Sequence, residues 1–218
     1  MKQILCFGDS NTYGLIPGTT RRYDRETRWT GILAEKLYDK GYRIIEEGLC
    51  GRTSVFDDAT RDGRNGAKVL PMLLKTHTPL DQVVLMLGTN DCKIYNHASA
   101  ERIGKGIEKL IQQIKKHDPT IDILLVSPIE LGEDVWKPGF DLEFDQHSVK
   151  VSKELKQTYL KIAWKYGCDF LAASDVAKPS KADMEHMNEK GHKNLAKAIE
   201  SFLVEKERKH SNNYVNVV

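Results

Sequence analysis

The sequence has little that would tie it to a metal, a membrane or a polyanion. Its four cysteines, Cys6, Cys50, Cys92 and Cys168, show no Cys-x-x-Cys spacing, which argues against a zinc site. No apolar stretch approaches the length of a membrane span. The formal net charge is only +2, too small an excess to argue for nucleic acid or an anionic lipid surface as partner. There is no Gly-x-Gly-x-x-Gly and no glycine-rich loop ending in Gly-Lys-Ser/Thr, so a nucleotide cofactor held by its phosphates is not expected. Internal repeats and low-complexity stretches are absent. Met1-Lys2-Gln3 runs straight into a short apolar stretch without a signal-peptide core or small-residue cleavage site, and the expectation is a cytoplasmic location.

What is present describes an ordinary globular chain. At 218 residues, with 40% hydrophobic and 29% charged residues, it is long enough for one domain with a sizeable core. Strand-like apolar runs recur at Gln3–Phe7, Arg43–Glu47, Gln82–Leu87, Ile121–Ser127 and Cys168–Ala172. Between them, apolar residues recur at helical spacing: Trp29, Ile32, Leu33 and Leu37; Ile103, Ile107, Leu110, Ile111 and Ile114; Val151, Leu155, Tyr159 and Ile162; Leu195, Ile199 and Phe202. Asp118-Pro119 closes the second of these helices. Such alternation predicts a single-domain, three-layer α/β/α fold around a five-stranded parallel sheet of flavodoxin-like type. The domain is expected over residues 1–205. A basic, solvated tail over 206–218 is expected to be frayed or docked on a partner subunit.

Chemistry-bearing residues fall where strands or long loops hand over to helices. The run Ile4 to Phe7 stops at Gly8-Asp9-Ser10, which sets a serine hydroxyl at the carboxyl end of the first strand, where open α/β sheets bind ligands. Gly88-Thr89-Asn90-Asp91 follows the most continuous apolar run, Glu47-Gly48-Leu49-Cys50-Gly51 follows the second strand, and Asp183-Met184-Glu185-His186 precedes the last helix. These supply the parts acyl transfer needs: Ser10 as nucleophile, His186 as base, Asp183 as orienting carboxylate, Gly51 and Asn90 as candidate oxyanion donors. Among the seven histidines, His186 alone has a carboxylate three residues away at a turn, an offset that lets Asp183 hold Nδ1–H and leaves Nε2 for the serine. Asp175 and Asp169 compete for the acid role. His97, His117 and His210 read as surface residues, His77 and His147 flank helices without an orienting carboxylate, and His192 is expected on the polar face of the last helix. Asp9 and Asp91 read as turn formers. Cys50 and Cys92 lie close to Gly51 and Asn90 and read as small apolar side chains packed beneath them.

Gly8-Asp9-Ser10, Gly51, Gly88-Thr89-Asn90-Asp91 and Asp183-x-x-His186 resemble, in order and spacing, the four blocks of the SGNH hydrolases, the GDSL esterase/lipase superfamily. The match spans roughly residues 2 to 203. Arg28-Trp29-Thr30-Gly31, Glu46-Glu47-Gly48-Leu49, Asp57-Asp58, Asn65-Gly66-Ala67 and Leu70-Pro71 resemble its bacterial arylesterase/acyltransferase branch. Asn11 departs from the leucine in the GDSL name, a position that varies in the superfamily. The resemblance implies a serine esterase whose oxyanion hole is built from the backbone amides of Ser10 and Gly51 and the side-chain amide of Asn90. It implies neither metal nor cofactor, and a homo-oligomer in which neighbouring loops narrow the mouth of the site.

Two loops, roughly 15–27 and 129–146, are longer than connection requires. The second carries Trp136, Pro138, Phe140 and Phe144, for an acyl pocket, a subunit contact or local packing. With no long apolar lid, the substrate is expected to be a short-chain, acetyl-type ester, with possible acyl transfer to alcohols. An aryl ester and an acetylated sugar remain open, so a carbohydrate deacetylase is one alternative. A non-catalytic small-molecule-binding or scaffold module is the alternative from another class.

Overall fold

The computed structural model describes the backbone over residues 1–215 and side chains over 1–206. Five parallel strands, β1 (Lys2–Gly8), β2 (Tyr42–Gly48), β3 (Gln82–Met86), β4 (Asp122–Ser127) and β5 (Asp169–Ala172), form one sheet in the order β2-β1-β3-β4-β5. This is the flavodoxin-like order. Its direction reverses between β1 and β3, which opens a crevice beyond their carboxyl ends.

Alternation along the strands divides the core into two layers. Ile4 and Cys6 of β1 pack with α2 (Trp29–Tyr38) and α6 (Glu189–Val215) through Trp29, Leu33, Leu37, Leu195 and Ile199. Leu5 and Phe7 turn to the opposite face, against α3 (Gly66–Thr76), α4 (Ala100–His117) and α5 (Gln146–Tyr166). The α4 stripe read from the sequence, Ile103, Ile107, Leu110, Ile111 and Ile114, is wholly buried. Each such side chain stabilises the fold by about 1.5–3 kcal/mol relative to exposure. Ser99 caps the start of α4 by accepting the Arg102 N–H, and Asp145 with Ser148 forms a reciprocal cap on α5.

The tail expected over 206–218 falls mostly on side chains outside the described residues. Lys206, at the start of that tail, is expected to be solvated. It instead reaches Asp122 and Asp169, at 2.8 Å each, tying α6 to the starts of β4 and β5. In the loop near residue 140, Phe144 is buried against the α4–α5 layer, so its role is local packing. Trp136 is half-buried against the same layer, and Leu142 stays exposed. Among the described residues no helix is long and apolar enough to cross a membrane.

Candidate active site

Register places three loops side by side. Gly8, the last residue of β1, pairs with Gly48 on one side and Met86 on the other. The loops that leave β2, β1 and β3 therefore emerge together at one edge of the sheet, carrying Gly51, Ser10 and Asn90. Gly8 is required by packing: a Cβ there would lie 2.0 Å from Thr12 Oγ1 and 2.7 Å from the Met86 carbonyl. Asp9 accepts the Asn11 N–H and so starts the single turn of α1 (Ser10–Tyr13), which Gly14 ends in a left-handed conformation. Ser10 is thereby lifted off the strand end.

The last element is supplied by the loop before α6. His186 Nε2 lies 2.8 Å from Ser10 Oγ, and His186 Nδ1 lies 2.8 Å from Asp183 Oδ2. All three side chains are mostly buried. Asp183 Oδ1 accepts the backbone N–H groups of Glu185 and His186, and Oδ2 also accepts the N–H of Gly18. Burial alone would raise the Asp183 carboxyl, but the His186 hydrogen bond and charge outweigh it and hold the group below its ordinary range. Asp175 and Asp169, the competing acids, are committed to Lys156 and Lys206.

The expected oxyanion donors have the right freedom. Ser10 N–H sits at the first helical position and has no intrahelical acceptor. Gly51 N–H meets no acceptor among the described residues. Its φ of 81° lies in the left-handed region, where an L side chain is strained. Asn90 donates one amide hydrogen to the Arg52 carbonyl at 3.1 Å, which leaves the second hydrogen uncommitted and links the Gly51 loop to that of β3. Asp91 accepts the N–H and hydroxyl of Ser54. Burial pushes the Asp91 carboxyl up to about 7 and that of Asp9 up to about 6. Both tie turns together, as their positions in the sequence suggested.

Three residues around this group escape sequence reasoning. Asn11 straddles His186: its Oδ1 accepts the Met187 N–H at 2.9 Å and its Nδ2 donates to the Glu185 carbonyl at 3.5 Å. Arg52 is buried, stacks 4.4 Å over the Phe7 ring and donates to the carbonyls of Gly8 and Glu47. Burial lowers its pKa to about 10. Glu185, also buried, has Oε1 at 3.8 Å from His186 Nε2. Only Asn11 carried a signal, its amide standing where the motif name has an apolar residue.

Two histidine readings are corrected. His192 is fully buried, not solvated: it aligns with Leu195, Ala196 and Ile199 on the inner stripe of α6, accepts the Trp29 N–H at 3.4 Å and meets the Tyr23 ring edge-on. Burial lowers its pKa to about 4. His77 does have a carboxylate partner, Glu47, at 3.0 Å, supplied by β2 rather than by nearby sequence. Cys92 is buried and donates weakly to the Gly88 carbonyl; Cys50 is half-buried, and burial raises both thiols. Among the described residues no group of three His, Cys, Asp or Glu side chains is placed to hold a metal ion.

Comparison with known proteins agrees with this fold. The model of the GDSL-like lipase/acylhydrolase family matches residues 6–193. The solved structure of the M. smegmatis aryl esterase is 35% identical, with a TM-score of 0.87 over 94% of this chain and 99% of that one. A carbohydrate acetylesterase from Sinorhizobium meliloti is 37% identical, with a TM-score of 0.85 over 94% and 99% of the two chains. At 19% identity, TesA shares the fold, with a TM-score of 0.66 over 93% of this chain and 98% of its own. No curated protein sequence matches the chain.

Proposed function

The chain belongs to the GDSL-like lipase/acylhydrolase family; it is a serine carboxylic-ester hydrolase, and we propose that it cleaves acetyl-type esters through an acyl-enzyme on Ser10. The observation that carries the Ser10 assignment is the unbroken hydrogen-bonded line from Asp183 through His186 to Ser10, 2.8 Å at each link.

As Ser10 Oγ attacks the ester carbonyl carbon, His186 Nε2 takes its proton, and Asp183 holds Nδ1–H and stabilises the imidazolium. The carbonyl electrons move onto oxygen, where the N–H groups of Ser10 and Gly51 and the amide of Asn90 donate to the new charge. Collapse expels the alcohol, protonated by His186, and leaves an acyl-enzyme. Water, deprotonated by the same Nε2, then releases the carboxylic acid and restores Ser10. Because Ser10 and His186 are nearly covered, an alcohol that displaces water at this step would accept the acyl group in its place.

Two further readings go with this one. A homo-oligomer is supported by Ile94, Tyr95 and Leu142, large apolar side chains exposed close to the Lys93–Glu143 pair. A cytoplasmic location is supported by four free thiols and no disulfide among the described residues.

The direct test is Ser10→Ala on a chromogenic acetate ester, beside labelling of the wild type with an organophosphonate specific for activated serines. Hydrolysis is lost in the variant, and the label is found on Ser10. Retained turnover with an unchanged circular dichroism spectrum would overturn the nucleophile assignment. A series of p-nitrophenyl esters from acetate to palmitate is turned over fastest at the acetate end; a preference for palmitate would overturn the acetyl reading.

A further inference from the structure

Glu185 is a buried carboxylate at the site that the reaction above does not use and that, unlike Asp9 and Asp91, accepts no hydrogen bond among the described residues. Its backbone is pinned on both sides, with its N–H on Asp183 Oδ1 at 3.0 Å and its carbonyl facing Asn11 Nδ2 at 3.5 Å. Its side chain is only 9% exposed, and His186 Nε2 lies 3.8 Å from its Oε1. Lys93, the buried ammonium nearby, is paired with Glu143. A buried carboxylate left without donors is costly. Burial accordingly pushes Glu185 up to about 7, against the charges of His186 and Lys93, while Asp141 and Asp183 push the same way as burial. A ligand that brings a donor recovers part of that cost.

The position of Oε1 decides which end of the substrate it meets. His186 Nε2 gives its proton to the departing alcohol, so the alcohol oxygen comes within about 3 Å of Nε2 in the reacting complex. An acceptor 3.8 Å from that same nitrogen lies within reach of a substituent on the carbon next to the alcohol oxygen. We propose that Glu185 determines alcohol specificity, accepting a hydrogen bond from a hydroxyl next to the acylated oxygen and so selecting partly acetylated sugars and polyols over esters of plain alcohols. This rests on the ester-hydrolase reading above and names the substrate class within it.

The test compares two acetates of the same length, ethylene glycol monoacetate and n-propyl acetate, which differ by one hydroxyl. Above about pH 8, where a carboxyl titrating at about 7 is ionised, a hydrogen bond to this charged acceptor corresponds to roughly a 10- to 100-fold preference in kcat/KM for the hydroxylated ester. Glu185→Gln is expected to reduce that ratio about tenfold, and Glu185→Leu to bring it near one. A wild-type enzyme without the preference, or variants that slow both esters in proportion, would overturn the proposal. The wild-type ratio and the isosteric glutamine decide the matter even if the leucine variant does not fold. Failure of the reading beneath it looks different: hydrolysis would then survive Ser10→Ala, whatever the ratio.

Discussion

The backbone N–H of Gly18 donates to Asp183 at 2.9 Å, to the same Oδ2 that holds Nδ1 of His186. With the Glu185 and His186 N–H groups on Oδ1, the carboxylate accepts from four N–H donors, two on each oxygen.

That arrangement makes asparagine a poor replacement. In Asp183→Asn either orientation of the amide sets an NH2 against two N–H groups. Each unmet donor costs about 1–3 kcal/mol, and His186 loses the partner that selects its tautomer. The expected outcome is a fall in kcat of roughly 10³–10⁴-fold together with a lower Tm, read by steady-state kinetics and thermal melting. Near-native activity would show that another acid orients His186.

In the proposed mechanism, Asn90→Ala removes a donor needed only once charge develops on the carbonyl oxygen. kcat should drop about 10²–10³-fold with KM little altered. A loss carried mainly by KM would make Asn90 a substrate-binding residue instead.

The pH profile follows from the surroundings of His186. Burial alone would lower its pKa, but the charge of Glu185, the hydrogen bond and charge of Asp183 and the charge of Asp9 outweigh it and raise it. Only neutral Nε2 accepts the Ser10 proton. Activity is therefore present above this raised pKa and lost as pH falls through it, with a midpoint above the ordinary histidine value of about 6.5. Glu185→Gln removes a raising charge and should move that midpoint to lower pH. An unmoved midpoint would show that Glu185 does not act on the imidazole.

Asn11→Ala removes both bonds to the backbone flanking His186 and leaves the buried Met187 N–H without an acceptor. Stability should fall by about 1–3 kcal/mol, and kcat by about tenfold as the imidazole loses its alignment with Ser10. Titration with a chemical denaturant and initial-rate kinetics measure the two effects separately. A stability loss with kcat unaffected would confine Asn11 to a structural role.

Local features of the chain marked the elements and the residues proposed to react. Apolar spacing marked α4 and β3, and Gly8-Asp9-Ser10 and Asp183-x-x-His186 marked where chemistry begins, because periodicity, turn residues and three-residue offsets are local properties of a chain. The tertiary structure decided the rest. His192 is buried rather than solvated because α6 lies against α2 at Trp29, and only its alignment with Leu195 and Ile199 is local to the chain. The bond from Gly18 to Asp183 and the clasp of Asn11 on residues 185 and 187 had no local signature. Each joins loops more than 160 residues apart in the chain, and only the parallel sheet, by bringing its strand ends to one edge, sets them within hydrogen-bonding distance.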